Sequence, residues 1–306
     1  MKKAVCLLLF LWVTNVLWAQ EFSSEADSLK RRRREARAEQ FDSIRSRVKD
    51  YIEEIRPDYN ADSVRRELDS APYFSLFRDN YMIGGVPIGD KIMASNSNVK
   101  FQLSVLQRVT SSKLPFNTYL FIQFTQKTIW NVVQKSMPMR DINLNPGIGL
   151  GHLIIYKNRY IGKGIFMIEH ESNGKDGLDS RSWNKVSFGA NLLLTNNIEG
   201  QMKVWIPIID SDNNRDILRY NGLGHVGINY RTPDRRFYLG VLATWRTQSF
   251  SFNTQTELSF KPNRHANQYI FLQYYNGYGE NLFDYNQYKS VLRIGFVIKP
   301  QDFSIY

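Results

Sequence analysis

Three residues near the middle of the chain have the types and spacing of a nucleophile, a base and a group that orients the base. His170 and Ser172 are two positions apart, so on a β-strand their side chains point to the same face. A serine becomes a nucleophile when a neighbouring base takes its hydroxyl proton, and this histidine could act as that base. Asn184 follows in the next segment and could accept a hydrogen bond from the imidazole, which would fix its tautomer. A His-x-Ser pair alone also occurs as ordinary structure, so the interpretation depends on the surrounding elements.

These three residues need two neighbouring strands joined by a loop. Phe166 and Ile168 share the face of His170 and Ser172, and Asn184 lies on an apolar face of the following segment. If this apolar face contacts lipid, the three polar residues lie on the lipid-facing surface as well. Polar groups are costly there and usually functional. A neutral amide as the orienting group avoids a charge near hydrocarbon.

Apolar and polar residues alternate through most of the chain after residue 79. In the last such segment Leu292, Ile294 and Phe296 alternate with Arg293 and Gly295, as lipid outside and a polar lumen inside require. We therefore predict an all-β fold: a transmembrane antiparallel β-barrel of about 12 strands, with a short helical or disordered N-terminal extension. The predicted strand cores are 79–86, 98–109, 117–130, 143–156, 160–172, 182–195, 200–208, 219–231, 235–246, 250–260, 266–276 and 289–299.

The start of the chain has the pattern of a secretory signal. Lys2 and Lys3 precede an apolar run that is too short for a membrane anchor, and Ala19 ends a plausible cleavage site. Cys6 is the only cysteine and lies in the part to be removed, so no disulfide is expected. The predicted divisions are a signal peptide at 1–19, a charged periplasmic extension at 20–70 and an outer-membrane barrel domain at 71–306.

The charged extension is almost neutral overall. Its basic run, residues 31–34, could contact phosphates, whereas the flanking acids favour a solvated, partly disordered segment. A helix ending at Pro57 is predicted from apolar residues at helical spacing: Phe41, Ile44, Val48, Ile52 and Ile55. The formal net charge of +11 therefore lies mainly on the barrel, where anionic lipid headgroups are the expected partners. Nucleic acid is not an expected partner of an exported protein.

The loop between the two site segments offers oxygen atoms to a hard cation. Asp176, Asp179 and Ser180, together with loop carbonyls, provide the kind of ligands that calcium prefers. The two acids are also compatible with an ordinary loop. A zinc site is not predicted, because the other histidines lack metal-ligand spacing and no HExxH motif is present.

The same stretch resembles the signature of the outer-membrane phospholipase A family. The likeness includes the loop length between the two halves of the signature, and further segments match in the same order. Together the matches cover most of residues 72–299. The matching segments are His170-Glu171-Ser172-Asn173-Gly174, Ser180-Arg181-Ser182-Trp183-Asn184, residues 124–127 with Trp130, residues 136–140 with Asn143 and Pro146, and residues 277–282 with 284–286.

The resemblance implies an outer-membrane barrel enzyme that hydrolyses acyl esters of membrane phospholipids, a phospholipase A1/A2 that depends on calcium and is active as a homodimer. Carried over by position, Ser172 is the nucleophile, His170 the base and Asn184 its orienting residue. The backbone N–H of Gly174 would contribute to the oxyanion hole.

The resemblance also implies a calcium site that is shared between two subunits. Its ligands would be the Ser180 side chain, the Lys175 carbonyl and Ser136 from the second subunit. Gln126 would lie in the dimer interface, where a polar side chain on the lipid-facing surface finds a protein partner. Lys175 stands where the family usually has arginine, but only its carbonyl is needed.

Two other functions remain compatible with a barrel of this kind. The first is a passive outer-membrane porin or structural barrel, against which the intact Ser-His-Asn set argues. The second is an esterase that acts on lipopolysaccharide acyl chains, which substrate profiling would distinguish from a phospholipase.

Overall fold

The protein is described from a computed structural model. The described residues are 30–47, 50, 60–208, 212–247, 251–263 and 267–300. Contacts divide the chain into two compact units, residues 1–55 and 56–306. None of the described helices is long and apolar enough to cross a membrane.

The first unit contains one described helix, α1, at residues 30–47. Its side chains are exposed, and Phe41 and Ile44 lie on it as the apolar spacing predicts. The remaining apolar positions of the predicted helix, Val48, Ile52 and Ile55, lie outside the described residues.

The second unit is a closed antiparallel barrel. Each strand from β2 onward pairs with its neighbour along the chain, and β13 pairs with β2 to close the wall. β1 and β2 follow one another along the same edge of β3, so the wall has the predicted twelve positions. The strands are β1 (Phe74–Leu76), β2 (Asn80–Pro87), β3 (Asn98–Arg108), β4 (Thr118–Trp130), β5 (Met139–Tyr156), β6 (Arg159–Ser172), β7 (Ser182–Leu193), β8 (Ile198–Ile208), β9 (Gly224–Arg231), β10 (Phe237–Trp245), β11 (Phe252–Phe260), β12 (Gln268–Gly277) and β13 (Lys289–Ile298), with helices α2 (Ala61–Ser70) and α3 (Ile217–Asn221).

The wall has an apolar outer face and a polar inner face. On β13, Ile294 and Phe296 are 60% and 66% exposed. Arg293, which lies between Leu292 and Ile294, is 1% exposed. Inward-facing Lys100 and Gln273 are buried in the same way. This alternation is what a strand between lipid and a polar lumen requires, and it confirms the predicted transmembrane barrel.

Paired charges occupy much of the lumen. Glu280, in the loop between β12 and β13, lies between Lys100 at 3.2 Å and Arg293 at 2.6 Å, measured from nitrogen to carboxylate oxygen. On another part of the wall Glu169 pairs with Lys203 at 2.6 Å. All five side chains are almost fully buried. Because an unpaired buried charge is very costly, each of these charges is stabilised by its partner inside the barrel.

The helix α2 packs against the barrel at the end where the turns are short. The Asn60 side chain caps it by accepting two backbone N–H bonds, and Val64 is buried against Tyr160. The Asp69 carboxylate accepts both the backbone N–H and the hydroxyl of Ser112, each at 2.9 Å. This helix belongs to the second unit, although its charged sequence resembles that of the extension before it.

One predicted strand is wrong at its start. Residues 219–231 were expected to be extended, but residues 217–221 form α3 and β9 begins at Gly224. Ile217 is completely buried, and Gly222, with φ of 66°, donates to the Leu218 carbonyl and ends the helix. The burial of one helical turn against the barrel outweighs the local alternation.

Candidate active site

His170 and Asn184 lie directly opposite each other on β6 and β7. The imidazole Nδ1 and the amide Oδ1 are 2.8 Å apart, so Nδ1–H can donate to the amide oxygen. That tautomer leaves Nε2 without a proton and able to accept one. The structure therefore brings together two of the three residues that the sequence analysis selected.

Ser172 lies two positions beyond His170 on β6, opposite Ser182 of β7. It shares the outward face with His170, while Phe166 and Ile168 continue this face at 37% and 54% exposure. The predicted facing is therefore correct: the polar residues lie on the lipid-facing wall, at the end of the strands where the longer loops emerge.

The loop that follows Ser172 is held by one buried side chain. Asn173 is 4% exposed, donates to the Asp179 carbonyl at 2.9 Å and accepts from the Arg181 backbone N–H at 2.9 Å. Its own backbone N–H donates to the Arg181 carbonyl at 3.0 Å. These bonds fix the loop around Gly174, whose φ of 62° is a left-handed conformation that glycine adopts readily.

The inner side of the wall contributes residues that the sequence analysis did not select. Glu171 points into the barrel and accepts from Trp183 Nε1 at 3.1 Å and Lys185 Nζ at 2.8 Å. From β5, the Asn145 side chain donates to the His170 carbonyl oxygen at 2.7 Å. The site strand is thus fixed from behind by polar contacts that spacing along one strand does not reveal.

The two calcium ligands predicted within one subunit lie on the loop after β6. Ser180 follows a short 3-10 turn and donates its backbone N–H to Gly177 at 3.2 Å. Lys175 directs its ammonium group away, to the Arg140 carbonyl at 3.1 Å and over the Phe283 ring at 3.7 Å. Within the described part of the chain, no donor reaches the Lys175 carbonyl oxygen.

The third predicted ligand lies on a different loop. Ser136 is exposed in the turn between β4 and β5, which emerges at the same end of the barrel because successive strands alternate in direction. Gln126 of β4 faces outward, and its Nε2 is 3.3 Å from the Thr128 hydroxyl. Among the described residues, no group of three or more His, Cys, Asp or Glu side chains could hold a metal ion.

Sequence comparison relates the chain to a known protein family. Residues 86–298 match a family model described as phospholipase A1. Phospholipase A1 of Salmonella typhimurium is 31% identical over 217 aligned residues, and the match covers 67% of this chain and 71% of the relative. Phospholipase A1 of Escherichia coli K12 is 31% identical over 212 residues, and this match also covers 67% of this chain and 71% of the relative.

Solved structures show the same architecture. Outer membrane phospholipase A from Escherichia coli matches with a TM-score of 0.66 and 25% identity, over 74% of this chain and 99% of that chain. A Salmonella typhi outer membrane phospholipase dimer with bound calcium matches with a TM-score of 0.67 and 23% identity, over 79% and 98% of the two chains. The latter likeness concerns the fold alone.

Proposed function

Because the chain belongs to the phospholipase A1 family, we propose that it is an outer-membrane phospholipase that hydrolyses acyl esters of membrane phospholipids. The observation that carries the proposal is the 2.8 Å contact between His170 and Asn184 on the lipid-facing wall, with Ser172 on the same face. A phospholipid in the adjacent leaflet would meet this face without leaving the membrane.

In the proposed reaction the Ser172 oxygen attacks the ester carbonyl while His170 Nε2 takes the hydroxyl proton. Asn184 holds the imidazole in the tautomer that leaves Nε2 free. The protonated histidine then gives its proton to the departing alcohol oxygen of the lysophospholipid. A water molecule, deprotonated by His170, attacks the acyl-serine; the fatty acid is released as the bond to Ser172 breaks, and His170 returns the proton to the Ser172 oxygen.

The developing oxyanion needs donors that are fixed before the reaction begins. The Gly174 backbone N–H is proposed for this role, since it follows Ser172 closely and the loop is held by Asn173. The positive φ of Gly174 explains the glycine, because an added Cβ would meet only Leu144, at 3.8 Å. The constraint is therefore one of backbone conformation and not of space.

The donor set fits calcium better than a transition metal. Calcium accepts hydroxyl, carbonyl and water oxygens, and the loop carries both the Ser180 hydroxyl and the Lys175 carbonyl. When bound, calcium would stabilise negative charge on the substrate oxygen. These few neutral ligands fall short of the six to eight oxygens that calcium prefers, so we propose that the partner subunit's Ser136 completes the site in a homodimer.

The proposed activity is tested with purified protein in detergent. Phospholipid hydrolysis is measured as fatty acid release with calcium and with a chelator, beside lipopolysaccharide as a second substrate. We expect calcium-dependent release from phospholipid. No release from phospholipid under either condition would favour a passive barrel, and release from lipopolysaccharide alone would assign the site to the other acyl ester.

Asn184→Ala is expected to reduce kcat by about 10- to 100-fold, because the imidazole loses the acceptor that orients it. Asn184→Asp keeps an acceptor oxygen at the same place and serves as the matched control, with a smaller loss of kcat. Steady-state hydrolysis of a chromogenic ester in micelles measures both. Equal kcat for wild-type and Asn184→Ala proteins would remove Asn184 from the triad.

Ser180→Ala is expected to weaken calcium activation and dimer formation together, since binding and assembly are reciprocally coupled when two subunits share a ligand set. Analytical ultracentrifugation in detergent, at fixed protein concentration, is combined with a calcium titration of activity. Ser95→Ala, in an exposed loop, is the control and should leave both curves unchanged. A calcium-saturated protein that is fully active as a monomer would contradict the shared site.

A further inference from the structure

The strand pairing between β5 and β6 is interrupted directly behind the site. Leu144 lies opposite Ser172, and Gly147 lies opposite Glu169. Within this described stretch, the two positions between them on β5 are not paired with β6. The register continues unchanged across the gap, so the interruption is a loss of hydrogen bonds and not a bulge.

Pro146 accounts for the gap. By the register it stands opposite His170, and proline has no N–H with which to donate to the His170 carbonyl. In an antiparallel ladder, the backbone bond that residue 146 would donate belongs both to its own pairing and to the pairing of the neighbouring residue 145. Loss of the single N–H at Pro146 therefore removes two successive pairings, those of Asn145 and Pro146, as observed. A proline inside a strand normally occurs at an edge or a bulge, but here it faces the strand that carries the site.

A side chain supplies the missing donor. Asn145 Nδ2 donates to the His170 carbonyl oxygen at 2.7 Å, and Asn145 is only 6% exposed. Gln123 holds this asparagine from β4, with Nε2 at 3.1 Å from the Asn145 carbonyl and 3.4 Å from its Oδ1. Gln123 in turn accepts from Thr125 at 3.0 Å, and the Thr125 hydroxyl is 2.7 Å from that of Ser104.

We propose that Asn145 is a positioning residue for the reaction: its side-chain amide replaces the ladder bond that Pro146 cannot make and fixes the peptide after His170. This inference rests on the proposed function. That peptide joins His170 to Glu171 and so sets the direction in which the imidazole leaves the wall. Because Pro146 removes the backbone bond, the orientation of this peptide depends on a side chain that can be changed without altering the strand.

The expected consequence is a loss of turnover and not of binding. A displacement of about 1 Å in a reacting group costs roughly 100-fold in rate, whereas lipid contacts along the wall are unaffected. Asn145→Leu keeps a similar volume but has no donor. We expect it to lower kcat by about 10- to 100-fold with KM within about twofold of the wild-type value.

The decisive variant restores the backbone donor. In Asn145→Leu combined with Pro146→Ala, residue 146 again has an N–H opposite the His170 carbonyl. We expect kcat to return to within about threefold of wild type, a coupling that only neighbouring groups with a shared partner show. Pro146→Ala alone should behave as wild type. Asn191→Ala, which removes another buried inner-face amide on β7, is the matched control and should keep its kcat.

A second readout does not depend on activity. The imidazole of His170 is observed by nuclear magnetic resonance of histidine-labelled protein in micelles, with the signal assigned from a His170→Gln variant. Asn145→Leu should move the signal, and the added Pro146→Ala should return it. If Asn145→Leu does not fold, Asn145→Ala replaces it, and kcat and the imidazole signal are compared in the same way with and without Pro146→Ala.

The outcomes separate this inference from the proposed function. Wild-type kcat and an unmoved imidazole signal in Asn145→Leu would overturn it, as would a double variant no better than the single one. If the wild-type protein hydrolysed no ester, the phospholipase proposal would fail. The imidazole signal would still decide whether Asn145 orients His170.

Discussion

Ser172→Ala is expected to form the same barrel and to lose hydrolytic activity by about 10 000-fold or more, because the residues of a triad act as a unit. The side chain is on the outer face, where its loss leaves no buried group without a partner. Fatty acid release measures the activity. The shift in electrophoretic mobility between heated and unheated samples measures barrel formation.

Ser182→Ala provides the matched control for that prediction. Ser182 lies directly opposite Ser172 on β7 and has no proposed role in the reaction. Its replacement should change the rate by less than about threefold, as for most surface substitutions. If the Ser172→Ala protein kept more than about a tenth of the wild-type rate, another nucleophile would have to be sought.

Glu280→Gln is expected to destabilise the folded barrel by about 3–5 kcal/mol, the usual effect of removing one partner from a buried charge group. Lys100 and Arg293 would then lie 2% and 1% exposed in the lumen without the acid between them. Unfolding by guanidinium in detergent, followed by tryptophan fluorescence, gives the change in free energy. Asp90→Asn removes an exposed loop acid and should change stability by less than about 0.5 kcal/mol.

The same carboxylate predicts a dependence of stability on pH. Burial alone would raise the pKa of Glu280, but Arg293 and Lys100 together lower it to about 2. Since this pKa is below that of the unfolded chain, the contribution is complete above about pH 4.5 and is lost as the pH falls towards 2. The stability difference between wild type and Glu280→Gln should therefore shrink over that interval. A difference that stays constant down to pH 2 would show that the carboxylate does not titrate with folding.

The alternation of side chains allowed most of the wall to be predicted. Where one face of a strand contacts lipid and the other faces the lumen, the polarity of a side chain indicates the face on which it lies. Arg293, between Leu292 and Ile294, is an example. The prediction was wrong at residues 219–223, where burial of Ile217 favours a helical turn. The helix α2 was not separated from the charged extension, because its contact with Tyr160 depends on a strand far along the chain.

The site was predictable to the extent that its residues lie on two adjacent strands. His170 and Asn184 could be paired because one loop joins β6 to β7. Asn145 could not be linked to them in the same way, since its contact is with a backbone carbonyl and depends on the register of β5 against β6. The one available signal was Pro146, a proline within an otherwise regular strand, which implies an unpaired carbonyl on the neighbouring strand.

The pairing of β13 with β2 joins the two ends of the barrel sequence, and this determines how the protein can fold. The β13–β2 pairing joins strands that are far apart in the sequence, so we expect it to form late. The conformational entropy of closing the chain between them is then lost in one step. Until it forms, both strands present open edges whose N–H and C=O groups have no partner in hydrocarbon. A chain that ended after β12 would lack only one of the twelve strand positions, but it could not close the barrel at all. We therefore expect insertion into the membrane to be all-or-none, with incomplete chains left to aggregate through their edges before they reach the bilayer.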